Sequence, residues 1–208
     1  MSKVVVFDVD GTLFDTKSGI IKALNEVLHN FGMESINPVD EDKWIGPPVR
    51  KSFITFSNMN EEQAEAATKQ YRQIYTEKYI SESVLYDGMS EVLNTLRSEK
   101  CHLCIATMKT QEQVERLLTL NDMSDVFEIV HTALANGKKT KTDMLEFIRE
   151  VYPNNSNYFM VGDTIGDLES AMNMKYEFIG AAYGYGKISR DSCSSVIMFP
   201  KDILEVIL

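Results

Sequence analysis

Short apolar runs alternate with amphipathic stretches along most of this 208-residue chain. "KVVVFD" near the start reads as a buried strand, because an unbroken apolar run needs cover on both faces. "SGIIKALNEVLHNFG" follows with apolar residues at helical spacing, and Gly32 stands where that helix should close. From about Asn37 to Val84 no strand pattern is found. "VRKSFITFS" and "NEEQAEAATKQYRQIYTEKY" are helical in period, the second with Asn60 as N-cap and acids in its first turn. Another helix is predicted after Gly88, in "MSEVLNTLRSEK". Alternation then becomes strict. The strands "HLCIAT", "VFEIVH", "NYFMVGD" and "YEFIGAAYG" are separated by the helices "TQEQVERLLTL", "KTDMLEFIREVY" and "GDLESAMNM". This pattern predicts an α/β fold: a Rossmann-like parallel sheet core covered by helices on both faces. The core takes residues 1–15 and 85–208, and residues 16–84 form an inserted all-helical domain.

Composition narrows the function classes. A formal charge of −10 argues against nucleic acid as a partner. No apolar run approaches the roughly 20 residues of a membrane span. The chain enters a strand at once with no signal-peptide pattern, so a cytoplasmic protein, monomer or homodimer, is expected. Cys101 and Cys104 have C-x-x-C spacing, but no second pair or histidine cluster completes a zinc site. They and Cys193 read as thiols in a reducing compartment. His29, His102 and His131 are scattered and read as structural or surface residues. The acidic balance fits an anionic substrate only if its site is locally positive or holds a metal.

The strand ends carry the candidate chemistry, since ligands of such sheets bind beyond the carboxyl ends of the strands. The first strand delivers Asp8 and Asp10, which side-chain alternation sends to one side. Two carboxylates so close repel unless a cation lies between them. "HLCIAT" delivers Thr107, with Lys109 just beyond. "GKKTKTD" follows the next strand, "NYFMVGD" delivers Asp163, and Asp167 follows one helical turn later. Carboxylates, a hydroxyl and lysines at one edge suit a hard cation with oxygen ligands, facing a phosphate.

These segments resemble the four motifs of the haloacid dehalogenase-like hydrolases: "DVDGT", Thr107 in "IATMK", "KTKTDML" and "GDTIGD". "IGPPVRKSF" and "AYGYG" are most similar to the phosphoglycolate-phosphatase-like members, whose helical cap matches the insertion. Met108, Thr140, Thr142 and Asn173–Met174 depart from residues frequent in the family. The resemblance implies a magnesium-dependent phosphatase acting on a small phosphorylated metabolite through an aspartyl-phosphate. Asp8 would be the nucleophile and Asp10 the general acid/base. Mg2+ would be held by Asp8, the Asp10 backbone carbonyl and Asp163. Thr107, Met108 beside it and Lys139 would bind the phosphoryl group, with Lys138 and Lys141 as neighbours of the same register. Asp167 would orient the metal water or Lys139. Arg50 in the cap would meet a second anionic group of the substrate. A phosphomutase, a 5'-nucleotidase or a pyrophosphatase would use the same motifs. A phosphonate hydrolase would need Lys43 or Lys51 as an imine-forming lysine, and a catalytically silent binding protein would not need the intact set.

Overall fold

A computed structural model describes residues 3–133, 140–154, 157–193 and 195–208. The chain divides into two compact units, Met1–Asp15 with Leu85–Leu208, and Thr16–Val84. The first unit is built on a parallel sheet in the order β5-β4-β1-β6-β7-β8. Its strands are β1 (Lys3–Phe7), β4 (His102–Thr107), β5 (Ile129–Thr132), β6 (Asn157–Gly162), β7 (Glu177–Ala181) and β8 (Val196–Ile197). Central β1 pairs with β4 from Val4↔His102 to Phe7↔Ile105, and with β6 from Lys3↔Asn157 to Phe7↔Val161. Its residues Val4 to Phe7 are fully buried, as an unbroken apolar run in a central strand requires.

The helices of this unit are α5 (Met89–Ser98), α6 (Gln111–Leu120), α7 (Lys141–Val151), α8 (Ile165–Met174) and α9 (Asp202–Ile207). On one face Met144, Leu145 and Ile148 of α7 and Ala171 of α8 pack with Val4, Val6, Cys104, Ala106 and Met160. Val5 and Phe7 therefore face the other side. There α5, packed against β4 and α9, supplies buried Val92, Leu93 and Leu96.

The second unit is helical. It contains α1 (Lys17–Asn30), α2 (Glu41–Trp44), α3 (Val49–Ser57) and α4 (Glu61–Ile74), continued by a π-helical turn, Tyr75–Tyr79. Asn60 and Gln63 form a reciprocal capping box that starts α4. Trp44 is buried and meets Phe53 edge-on at 5.9 Å.

The apolar pattern did not reveal the two-residue strands β2 (Phe14–Asp15) and β3 (Val84–Leu85), nor β8 or α9. Two residues are too few to display a period, and α9 is barely one and a half turns. The three cysteines are free thiols, with Cys101 and Cys104 buried.

Candidate active site

The chain turns sharply where β1 ends. The Val9 carbonyl accepts N–H bonds from Leu13 and Phe14, each 3.0 Å, and Gly11 sits at φ +71°, where a side chain is strained. The Asp8 N–H still donates to the Val161 carbonyl, so Asp8 is fixed by the sheet itself. Asp8 is buried, and its Oδ2 lies 3.0 Å from the Lys141 Nζ. Asp10 instead has its Oδ1 3.0 Å from the Lys109 Nζ. Each of the paired carboxylates thus has a lysine of its own.

Lys141 is the first residue of α7. Thr140 caps that helix, its side chain accepting from the Asp143 N–H while the Asp143 carboxylate accepts from the Thr140 N–H. The Lys141 ammonium also contacts Asp167 Oδ1. Burial alone would lower the Lys141 pKa, but the charges of Asp167 and Asp8 reverse this and raise it above the ordinary lysine value. Lys139, the lysine expected from register to bind phosphate, lies outside the described residues. Among the described residues, the lysine that stands at Asp8 and Asp167 is Lys141. A signal for it was present in the sequence: a cation in the first turn of a helix opposes the helix dipole, so its place there needs another cause.

Asp167 is fully buried and has a second duty. Its Oδ2 accepts from the Thr164 N–H at 3.0 Å and hydroxyl at 2.7 Å, closing the capping box that starts α8. Its Oδ1 is left for Lys141, which is the orienting contact that the sequence had assigned to Lys139.

Asp163 follows β6. Its Oδ2 accepts N–H bonds from Tyr185 at 2.8 Å and Gly186 at 3.0 Å, whereas its Oδ1 is buried without a hydrogen-bond partner among the described residues. One carboxylate oxygen from each of Asp8, Asp163 and Asp167 lies within 4.8 Å of the others. Burial pushes Asp8 up to about 6, with Lys141 pulling down and Asp167 and Asp10 pushing further up. Burial and the charges of Asp8 and Asp167 push Asp163 up to about 8, against the two N–H donors. Crowded carboxylates that resist ionising, one with an orphaned buried oxygen, are the donor set of a hard divalent cation. Magnesium therefore fits these residues.

Thr107 ends β4 beside β1 and is buried, its Oγ1 accepting from the Lys109 N–H at 3.4 Å. The Met108 side chain packs on the hydrophobic cluster of α7, so only its backbone is left to meet a phosphate. In the helical unit, Arg50 is held by Glu61 and by Glu65, the latter 3.2 Å from its Nε. The sequence reading gave Arg50 a contact with a second anionic group of the substrate. In this structure the contacts between α3 and α4 give it two carboxylate partners. Sequence reasoning also missed Tyr185, whose backbone holds Asp163 and whose hydroxyl donates to Asp15 Oδ1 at 2.7 Å.

The sequence profile of the haloacid dehalogenase-like hydrolases matches residues 5–181. The tyrosine-protein kinase PtkA of Mycobacterium tuberculosis is 28% identical over 191 residues, covering 89% of this chain. The chain spans 64% of the length of that relative. A phosphoglycolate phosphatase from Aquifex aeolicus is 25% identical over 208 residues, covering 98% of this chain and 96% of its own. Among solved structures, a predicted phosphatase from Clostridium acetobutylicum superposes with a TM-score of 0.89 at 28% identity, covering 99% of each chain. With a profile matched from β1 to β7 and the aspartates standing at the ends of those strands, this chain belongs to the haloacid dehalogenase-like hydrolases.

Proposed function

We propose that this chain is a magnesium-dependent phosphatase that hydrolyses a small phosphomonoester through an aspartyl-phosphate at Asp8. The observation that carries this reading is a buried carboxylate, Asp8, paired with Lys141 at 3.0 Å and clustered with two further buried carboxylates at the ligand-binding edge of the sheet. Asp8, Asp163 and the Asp10 carbonyl would hold the cation, which offsets the repulsion between an anionic nucleophile and an anionic phosphate. Asp8 attacks phosphorus as the bond to the leaving oxygen breaks, and Asp10 gives that oxygen its proton. Asp10 then takes a proton from the water that cleaves the aspartyl-phosphate. Lys141, Thr107 and the backbone N–H groups of the turn after Asp8 stabilise the phosphoryl oxygens.

The Aquifex relative favours a phosphoglycolate-like substrate. The mycobacterial relative, a tyrosine-protein kinase by name, supports a second reading in which the phosphoryl group passes to a phenolic hydroxyl. Inorganic phosphate release from p-nitrophenyl phosphate and from a panel of phosphorylated small acids, with and without magnesium, tests the first reading. Magnesium-dependent release that Asp8→Asn abolishes without unfolding the chain is the expected result. Release that survives this substitution overturns the role of Asp8. Absence of release together with ATP-dependent labelling of tyrosine supports the second reading.

A further inference from the structure

Lys109 is a buried lysine at this edge to which the phosphatase reading assigns no task. Its side chain is 4% exposed, and its Nζ lies 3.0 Å from Asp10 Oδ1, while the Asp10 side chain keeps 24% of its surface. Burying an ammonium costs several kcal/mol of solvation, so packing alone would favour an apolar residue here. The loop gives the lysine little choice of place. The Lys109 carbonyl accepts from the Ala133 N–H at 3.2 Å, and its N–H donates to Thr107 Oγ1. The next residue, Thr110, caps α6 in a reciprocal box with Gln113. Backbone anchors on both sides thus deliver the ammonium to Asp10, which stands in the turn after β1.

We infer that Lys109 is a positioning residue for Asp10. It holds one carboxylate oxygen, so that the group that transfers the proton keeps its aim on the leaving oxygen. This rests on the phosphatase reading above. In the first step the Asp8 oxygen bonds to phosphorus, the bond from phosphorus to the leaving oxygen breaks, and the Asp10 proton moves to that oxygen so that an alcohol departs neutral. An aryl ester such as p-nitrophenyl phosphate releases a stable anion and needs that proton least. An alkyl phosphate needs it most.

The test compares kcat/KM, which reports the step in which the leaving group departs, for p-nitrophenyl phosphate and an alkyl phosphate such as glycerol phosphate. Lys109→Met should lower the alkyl value by about 10–100-fold, the scale of a misaimed catalytic group, and lower the alkyl-to-aryl ratio by about tenfold or more. In the Asp10→Asn background, adding Lys109→Met should cause no further loss, because a residue acting through Asp10 has nothing left to position. Should Lys109→Met melt below the assay temperature, Lys109→Gln carries the same comparison. Equal losses on both esters, or additive losses in the double variant, overturn the inference and leave the phosphatase reading standing. A magnesium-loaded wild-type chain inactive on both esters overturns both.

Discussion

Replacing Gly186 by alanine should release the strap that holds Asp163. A Cβ at position 186 would lie 2.0 Å from the Asp163 carbonyl oxygen and 2.6 Å from the carbonyl carbon. Both are backbone atoms at the end of a central strand, so neither can rotate away. Ordinary contact begins at 3.4 Å, and the strap must withdraw by about 1.4 Å (3.4 − 2.0) to reach it. The bonds of 2.8 and 3.0 Å from Tyr185 and Gly186 to Asp163 Oδ2 would then stretch past about 4 Å and be lost. With Asp163 ionised, as a bound cation would keep it, each is a bond to a charged group, worth about 1.5–3 kcal/mol, and overpacking adds about 1–3 kcal/mol. The low end of that sum, about 4 kcal/mol, lowers Tm by about 8 °C or more in a chain of this size. The magnesium concentration for half-maximal activity should rise about tenfold or more, since Asp163 loses the donors that orient it. Gly166→Ala is the control: its Cβ would meet only Thr164 Oγ1, at an ordinary 3.6 Å, and alanine inside α8 should stabilise by about 0.5–1 kcal/mol. Thermal melts and magnesium titrations read both variants. A Gly186→Ala protein with unchanged Tm and magnesium requirement would refute the reasoning.

Three further outcomes follow from the same geometry. Asp8 at about 6 and Asp163 at about 8, against an ordinary 3.8, mean that the folded chain holds these protons more tightly than the unfolded one. That stability is full below about pH 4 and is lost as pH rises through 6 and 8, so Tm of the metal-stripped chain should fall across pH 5 to 8 and magnesium should raise it more at pH 8; a flat or rising Tm there contradicts the burial argument. Lys141→Met should cut kcat/KM by about 10² or more, as loss of a charge stabiliser does, and Lys139→Met should cut it far less; the reverse order would return the role to Lys139. Arg50→Ala breaks exposed pairs worth together at most about 1 kcal/mol, so Tm should move by no more than about 4 °C and KM for a phosphorylated acid should stay put. A tenfold rise in that KM, with p-nitrophenyl phosphate unaffected, would mean that the contacts with Glu61 and Glu65 open during turnover.

The strands were legible because β1, β4, β6 and β7 are apolar runs, the first three closed by polar residues, and their alternation with helices implied a parallel sheet. Asp8, Asp10, Thr107 and Asp163 were legible for the same reason, since each closes or follows such a run. That Lys141 of "GKKTKTD" meets Asp8 and Asp167 was not, and Lys139 lies outside the described residues. Register against "KTKTDML" favours Lys139, whereas the Thr140 capping box makes Lys141 the first helical residue and turns it toward Asp8 and Asp167. The partners of Lys109 and Arg50 were out of reach for another reason. Lys109 meets Asp10 only because β4 lies beside β1, and Arg50 meets its glutamates only because α3 packs on α4. Such pairings join residues distant in sequence, and no local period encodes them.

A chain with a formal charge of −10 looks ill suited to an anionic substrate, and the site answers this locally. Fully ionised, Asp8, Asp10, Asp163 and Asp167 would bring four negative charges against two positive ones from Lys109 and Lys141, so these six residues would sum to −4 + 2 = −2, a sum that the raised Asp8 and Asp163 resist. A phosphate dianion approaching that sum would be repelled in a low-dielectric setting, where unscreened charges act most strongly. Neutralising the carboxylates with further lysines would remove the repulsion, but it would also tie up Asp8, whose lone pair has to reach phosphorus. A divalent cation brings the same six residues to zero while leaving Asp8 an oxygen for attack. Among the described residues the excess of carboxylates over lysines is therefore what suits this cluster to a metal, and on the phosphatase reading the acidic character of the whole chain need not oppose an anionic substrate once a metal is bound.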